Sequence, residues 1–201
     1  MVVAMIIEQK RTSNERRMPP NPETKEENAV VLDFLQNGRP MSNIRTPLAQ
    51  VMGRKHFVLL EVVPKEEVIL QPYDEVYIGA DKREKIHHIR AKINYGELTN
   101  TAKKIVDDII LKSVIEREAE FVEFFNKSRP VSIRLHSLEL LPGIGKKHMI
   151  EILKERKIKP FESFEDLRNR VKLMPDPEKA VVKRILEELD GIDKYRLFVG
   201  N

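Results

Sequence analysis

The 201-residue sequence contains no cysteine. This absence excludes disulfide bonds, cysteine-liganded zinc, iron-sulfur clusters and thiol nucleophiles. Long apolar runs are also missing. Residues 1–7 are apolar, but they fall far short of the roughly 18 residues that span a bilayer, and basic residues follow them instead of preceding them. We therefore expect a cytoplasmic protein with no membrane partner.

Charge and length narrow the class of protein further. Hydrophobic residues make up 41% of the chain and charged residues 34%, which still leaves enough apolar side chains for a core. The length corresponds to one domain or two small ones, so a large multidomain enzyme is excluded. The 36 Lys and Arg exceed the 32 Asp and Glu by four. This excess permits an anionic partner without requiring one.

Residues 29–96 predict a small β-barrel, similar to the OB type. Short runs rich in Val, Ile, Leu and Phe alternate there with turn residues, which is typical of strands. The six runs lie at 29–35, 46–52, 56–63, 67–70, 75–78 and 86–93. Closure into a barrel would remove the two open edges of a small antiparallel sheet.

The run 86–93 predicts a basic stripe on one face of this barrel. Side chains along a strand point alternately to its two faces. His87, Ile89, Ala91 and Ile93 would therefore share one face, which we expect to be the face toward the core. The residues between them would be exposed and are His88, Arg90 and Lys92. Barrels of the OB type bind single strands with such stripes and stacking aromatics. The stacking candidates are Phe57, Tyr73 and Tyr77, and the alternative is a solvated strand face.

The period of apolar residues becomes helical after residue 97, which predicts linking helices over 97–128. The apolar stripe changes phase near Ser113, so we expect two helices or a kinked one, ending at Ser128-Arg129-Pro130. Five basic residues against seven acidic ones in this stretch argue against a nucleic-acid-binding face.

The most informative sequence is LPGIGKK at residues 141–147, between two stretches of helical spacing. Gly143 is suited to leaving a helix in the left-handed conformation, and Ile144 would fill the angle between the helices. At Gly145 the missing side chain would let a phosphate approach the free N–H groups that open the next helix. This pattern resembles the helix-hairpin-helix motif, in which two helices are joined by a Pro-Gly-hydrophobic-Gly turn.

The resemblance implies that the turn binds one phosphate of a DNA or RNA backbone and makes no sequence-specific contact with the bases. In this family the hairpin carbonyls often also bind a monovalent cation. The resemblance makes Gly143, Ile144, Gly145, Lys146 and Lys147 the candidate nucleic-acid-binding residues. The alternatives are an ordinary helix end that binds nothing and a degenerate repeat that serves protein contact.

A second pair of helices would complete an all-α tandem helix-hairpin-helix domain at 129–191. Ser163 with Asp166, and Asp176 with Pro177, predict two helix N-termini. The turn between these helices has no glycine and places the Asp176 carboxylate where a phosphate would sit, so we expect it to be structural.

Basic residues concentrate around the first turn. Residues 129–172 hold eleven basic and six acidic residues, whereas residues 173–201 hold five and six. Backbone binding requires such an excess, although a solvated helix face also produces one.

The two ends of the chain are the remaining segments. Residues 1–28 predict a basic, proline-punctuated arm with almost nothing to pack. The tail, residues 192–201, alternates apolar Tyr195, Leu197 and Val199 with other residues, so we expect it to dock on the barrel or a linking helix.

Barrel, linking helices and tandem hairpins together resemble an uncharacterised archaeal family known only as a domain of unknown function. The resemblance covers residues 27–191 and includes FVEFFNK at 121–127 and PFESFEDL at 160–167. It implies a fold and no reaction.

We expect no enzyme, because no catalytic pattern is present. The five histidines show no metal-ligand spacing, and we expect adjacent His87 and His88 to point to opposite faces. Bifunctional DNA glycosylases carry a lysine such as Lys147 and an aspartate such as Asp166, but there both sides of the motif are helical. The sequence predicts a nucleic-acid-binding protein, without metal or catalytic residues. The alternative is a protein-protein adaptor in a ribonucleoprotein or repair assembly.

Overall fold

The computed structural model describes residues 25–39, 45–191 and 194–200, so most of the predicted basic arm lies outside the described residues. Five strands form one antiparallel sheet in the order β4-β1-β2-β3-β5. They are β1 (Asn28–Leu35), β2 (Leu48–Gly53), β3 (Leu59–Pro64), β4 (Glu75–Tyr77) and β5 (Ile86–Lys92). The sheet curls into a half-barrel. Within the described residues β4 pairs with β1 and β5 with β3, so the predicted closure is not found.

The predicted strand at 67–70 is wrong. Glu67 has a φ of 64°, which interrupts an extended chain. The Val68 N–H donates to the Lys65 carbonyl at 3.2 Å and closes a turn. Leu70 is nevertheless 2% exposed. The apolar character of this run therefore reflects a loop that packs on the sheet, not a strand within it.

Both faces of the sheet are buried at its central strands β1, β2 and β3. Val30 and Leu32 of β1 belong to one large core cluster that also contains residues from every α-helix. Ala29 and Val31, whose side chains alternate with them, belong to a second cluster inside the curl of the sheet. The half-barrel and the helices consequently share a continuous apolar core.

The second half of the described chain contains five helices and a small hairpin. The helices are α1 (Asn100–Glu116), α2 (Glu118–Lys127), α3 (Lys146–Ile158), α4 (Phe164–Arg170) and α5 (Pro177–Asp190). The hairpin strands are β6 (Pro130–Ser132) and β7 (Leu135–His136), so the prediction of helices alone after residue 99 is wrong. In the described residues no helix is long and apolar enough to cross a membrane.

Arg117 forms the break between α1 and α2, so two helices are present as predicted, with the break four residues after Ser113. Its guanidinium donates to the Arg54 carbonyl at 2.6 Å. It also lies over the rings of Phe57 and Phe121, 5.5 Å from each centroid. These contacts tie the helix junction to the turn after β2.

The described part of the tail docks, as its apolar pattern predicts. Val199 is 7% exposed and belongs to the large core cluster. Phe198 meets Phe121 and Phe124 of α2 edge to face, at centroid distances of 5.4 and 5.1 Å. The Gly200 N–H donates to the His56 carbonyl at 2.9 Å. The tail thus bridges the half-barrel and a linking helix.

Candidate nucleic-acid interface

Residues 141–145, here called turn 1, lead into α3 with the predicted local conformations. Ile144 N–H donates to the Leu141 carbonyl at 3.0 Å and closes the turn. Gly143 is left-handed at φ 87°, and Ile144 is 3% exposed and packed in the core. The element before the turn differs from the expected helix, because residues 137–140 form one 3-10 turn.

The N-terminus of α3 is open. Gly145 is its N-cap in extended conformation, and no side chain caps the helix in the described structure. A Cβ added at Gly145 would meet nothing within 4 Å. The first N–H groups of a helix lack intrahelical acceptors and carry the positive end of its dipole. Lys146 and Lys147 follow directly and are exposed. Their positive charges therefore lie beside backbone N–H groups that a ligand can reach.

Residues 171–176, here called turn 2, repeat this geometry with one additional residue. The Met174 N–H donates to the Val171 carbonyl at 3.3 Å, matching the closing bond of turn 1. Leu173 is left-handed at φ 54°, the position that Gly143 has in turn 1. The Asp176 side chain accepts from the Lys179 N–H at 3.3 Å and caps α5. Turn 2 therefore lacks an open helix terminus, as the sequence predicts.

The two turns lie against each other. A Cβ added at Gly143 would be 3.5 Å from the Pro175 side chain, which is ordinary van der Waals contact. An open concavity beside turn 1 is also lined by Glu139, Arg184 and Glu187. Two carboxylates and one guanidinium therefore line the same concavity as Gly143, Ile144 and Gly145.

Several cations counted from the sequence are structural. Arg170 donates to the Glu155 and Lys159 carbonyls at 2.7 Å each and stacks on Phe161 at 4.5 Å. Arg156 donates to the Phe125 and Ser128 carbonyls at 3.0 Å. The exposed cations of the same segment are Arg129, Arg134, Lys146, Lys147, Lys154, Lys157, Lys159, Arg168 and Lys172, of which Arg168 is paired with Glu178. Charge counting alone did not separate these two groups.

The predicted inward and outward sets of β5 are partly wrong. Residues from His87 to Lys92 are all exposed, and only Ile86 of this strand is buried. β5 is an edge strand, and its register with β3 shifts at His87 and at Arg90. Such bulges break the alternation on which the prediction rested. His88 and Arg90 line a shallow pocket beside β2 and β3.

Other residues of the predicted binding face around β5 also differ from the prediction in their exposure or contacts. Lys92 donates to the Gly200 carbonyl at 3.3 Å, so the tail covers one end of the stripe. Phe57 is 1% exposed and is not available for stacking on a base. His87 and His88 do not point apart, since their Nδ1 atoms are 2.7 Å apart. No group of three potential metal-ligating residues is found in the described ranges.

Sequence reasoning missed a buried ion pair behind turn 1. Arg184 Nε donates to Glu188 Oε1 at 2.7 Å, and both side chains are at most 1% exposed. Arg184 also donates to the Leu140 carbonyl, directly before turn 1. The sequence does indicate that this pair is buried, because Arg184 and Glu188 lie on the apolar stripe of α5 together with Val181 and Ile185.

His136 is a buried histidine in the segment directly before turn 1. It is 7% exposed, and its Nδ1 accepts from the Leu138 N–H at 3.1 Å. Burial lowers the pKa of His136 below its ordinary 6.5, and the Arg156 charge lowers it further, against an opposing effect of Glu139. The unfolded chain therefore binds a proton at higher pH than the folded chain. The stability that neutral His136 contributes is complete above the ordinary pKa and is lost as the pH falls through the lowered one.

We expect the melting temperature to fall between about pH 7.5 and about pH 5. His136→Asn keeps an acceptor near Nδ1 and does not titrate, so this variant should lose less stability over the same interval. The measurement is thermal unfolding followed by circular dichroism at several pH values. An unchanged pH dependence in the variant would assign the loss to other groups.

Comparison with known proteins identifies the family. Residues 25–200 match the family described as "Protein of unknown function (DUF655)", and the chain belongs to it. The chain is 41% identical to the uncharacterized protein MJ0038 of Methanocaldococcus jannaschii, over 97% of this chain and 91% of that protein. The crystal structure of Af1531 from Archaeoglobus fulgidus is similar with a TM-score of 0.78 and 42% identity, over 87% of this chain and 100% of that chain. The resemblance to an uncharacterised archaeal family is confirmed.

Proposed function

We propose that this member of the DUF655 family binds the phosphate backbone of nucleic acid, with little sequence preference, through turn 1 and the start of α3. In this proposal turns 1 and 2 with their flanking helices are a tandem helix-hairpin-helix domain. The observation that carries it is the N-terminus of α3. It is opened by Gly145 without a side-chain cap in the described structure, and the space in front of Gly145 is empty.

The chemistry of this terminus selects a phosphate. Backbone N–H groups at the start of a helix donate to anionic oxygens, and the helix dipole adds attraction. Lys146 and Lys147 are exposed beside them and add positive charge. Contacts of this kind reach the backbone and not the base edges, so they bind DNA or RNA without reading sequence. We also propose that the carbonyls of turn 1 bind a monovalent cation, and the support is that Glu139 and Glu187 line the concavity beside the turn.

A second contact involves the half-barrel, which we propose to be OB-like. Its strand order leaves β4 and β5 as the two edges, in keeping with a partly open five-stranded barrel. His88 and Arg90 are exposed in one depression, whereas Lys92 is held by the tail. His88 and Arg90 are therefore the residues of the stripe that a nucleic acid would reach first.

Charge reversal tests the proposal. Lys146→Glu with Lys147→Glu should lower affinity for a mixed-sequence duplex about ten-fold or more at low salt. The loss of two phosphate contacts should also reduce the slope of log K against log salt by about 2. The measurement is a salt titration by fluorescence anisotropy with a labelled oligonucleotide.

The control is Lys104→Glu with Lys183→Glu. Both lysines are exposed, on α1 and α5, and the net charge changes by the same amount. This double variant should keep most of the affinity. An equal loss in both double variants, or a wild-type protein that does not bind even at low salt, would favour the adaptor function instead.

A further inference from the structure

Turn 2 exposes a leucine in an unfavourable backbone conformation. Leu173 has a φ of 54°, and its side chain is 94% exposed. A left-handed conformation is costly for a residue with a Cβ, and an exposed leucine gains nothing from burial. Glycine or asparagine would fit this position with less strain. Neither feature stabilises the fold, and residues held in strain are often found at functional sites.

Leu173 lies close to the proposed phosphate site. Pro175, two residues further on, would touch a Cβ at Gly143. Chain geometry then limits the separation of the Leu173 and Gly143 Cα atoms to about 14 Å. Lys172, directly before Leu173, is exposed and adds positive charge. The exposed apolar side chain of Leu173 therefore lies on a turn that packs against turn 1.

We propose that Leu173 is a wedge that contacts unstacked bases, and that this site prefers a duplex with an interruption, such as a one-nucleotide gap, over an intact duplex. This inference rests on the proposed function, because phosphate binding at turn 1 brings the strand to turn 2. Apolar side chains inserted between base steps must first unstack them. That cost is smaller where the duplex is already interrupted, so the interrupted duplex gains most from the contact.

The structure favours a nucleic acid over a protein as the occupant of this position. Leu173 is a single apolar side chain beside exposed Lys172, whereas protein interfaces have an apolar centre from which charged residues are depleted. A wedge needs only one side chain at the tip of a turn, which is what turn 2 provides.

The test compares an intact duplex with the same duplex carrying a one-nucleotide gap, by fluorescence anisotropy. Wild-type protein should bind the gapped duplex about ten-fold more tightly. Leu173→Gly should lose this preference while keeping its affinity for the intact duplex. Its melting temperature should not be lower than that of the wild type, because glycine tolerates the left-handed conformation. The matched control is Ile133→Ala, since Ile133 is also fully exposed, at the tip of the β6–β7 hairpin.

The outcomes separate this inference from the function on which it rests. Equal binding of both duplexes by the wild type, or a preference that persists in Leu173→Gly, overturns the wedge and leaves phosphate binding standing. A preference lost equally in Ile133→Ala also overturns it. Failure of the wild type to bind either duplex overturns the proposed function itself.

Discussion

Replacing Glu188 with alanine is expected to reduce the free energy of unfolding by about 3–5 kcal/mol, because it leaves a buried guanidinium without its carboxylate. For a chain of this size such a loss lowers the melting temperature by roughly 10 °C. The effect should be visible in thermal unfolding followed by circular dichroism.

The expected size follows from the number of groups that the carboxylate satisfies. Oε1 accepts from Arg184 Nε and from the Leu197 N–H, both at 2.7 Å. Oε2 accepts from the Phe198 and Val199 N–H groups at 2.9 Å each. Three consecutive tail amides therefore converge on one buried side chain. Hydrogen bonds to a charged group are stronger than neutral ones, and unsatisfied buried donors are costly.

Release of the tail should accompany the loss of stability. Without Glu188 the three amides have no carboxylate to hold the chain against α5, and the contacts of Phe198 with α2 should weaken. Proteolysis at low protease concentration should then cleave the tail of Glu188→Ala faster than that of the wild type. Glu187→Ala is the control, since Glu187 is the neighbouring glutamate on the same helix and is partly exposed. A loss below about 1 kcal/mol in Glu188→Ala would contradict a stabilising role of the hydrogen bonds between Glu188 and the tail amides.

The helix boundaries show what local sequence determines. Ser163 Oγ accepts from the Asp166 N–H at 3.0 Å at the start of α4, and the Asp176 side chain caps α5, both as predicted. Capping depends on residues within one turn, so a single sequence carries enough information. The conformations of Gly143, Ile144 and Gly145 were predictable for the same reason.

Features that depend on distant partners were not predictable. The exposure of β5 follows from two bulges against β3 and from its edge position, neither of which leaves a periodic signal. The position of Arg184 and Glu188 on the apolar stripe of α5 indicates burial, but the three tail amides that Glu188 accepts from leave no signal in the local sequence. Leu173 is left-handed against the preference of its residue type, so propensity predicts the opposite.

Within the candidate site, the sequence predicted the position and local conformation of turn 1 but not its surroundings. The glycine pattern located turn 1. The contact between turn 1 and Pro175 depends on how the two turns pack, which no spacing in the sequence reports. Substitutions at Pro175 would therefore disturb turn 1 and are unsuitable as neutral controls for binding.

Gly145→Leu is expected to lower the affinity for a mixed-sequence duplex about ten-fold or more without unfolding the protein. The new side chain would extend into the empty space in front of the α3 amides and exclude a phosphate from them. Charge-assisted hydrogen bonds contribute about 1.5–3 kcal/mol each, so losing one suffices for a ten-fold change. Since α3 has no side-chain cap to lose, the cost to stability should stay below about 1 kcal/mol.

The matched control for this variant is Gly96→Leu. Gly96 lies in the 3-10 turn Tyr95–Glu97, where an added Cβ also meets nothing within 4 Å, so the two variants add the same side chain to equally open glycines. Gly96→Leu should bind as the wild type does. Both proteins are compared by fluorescence anisotropy at low salt, after circular dichroism has shown that they are folded. If Gly145→Leu binds as tightly as Gly96→Leu, the amides at the start of α3 do not contact the ligand. Turn 1 would then be a structural element, and the exposed face around it would serve a protein partner.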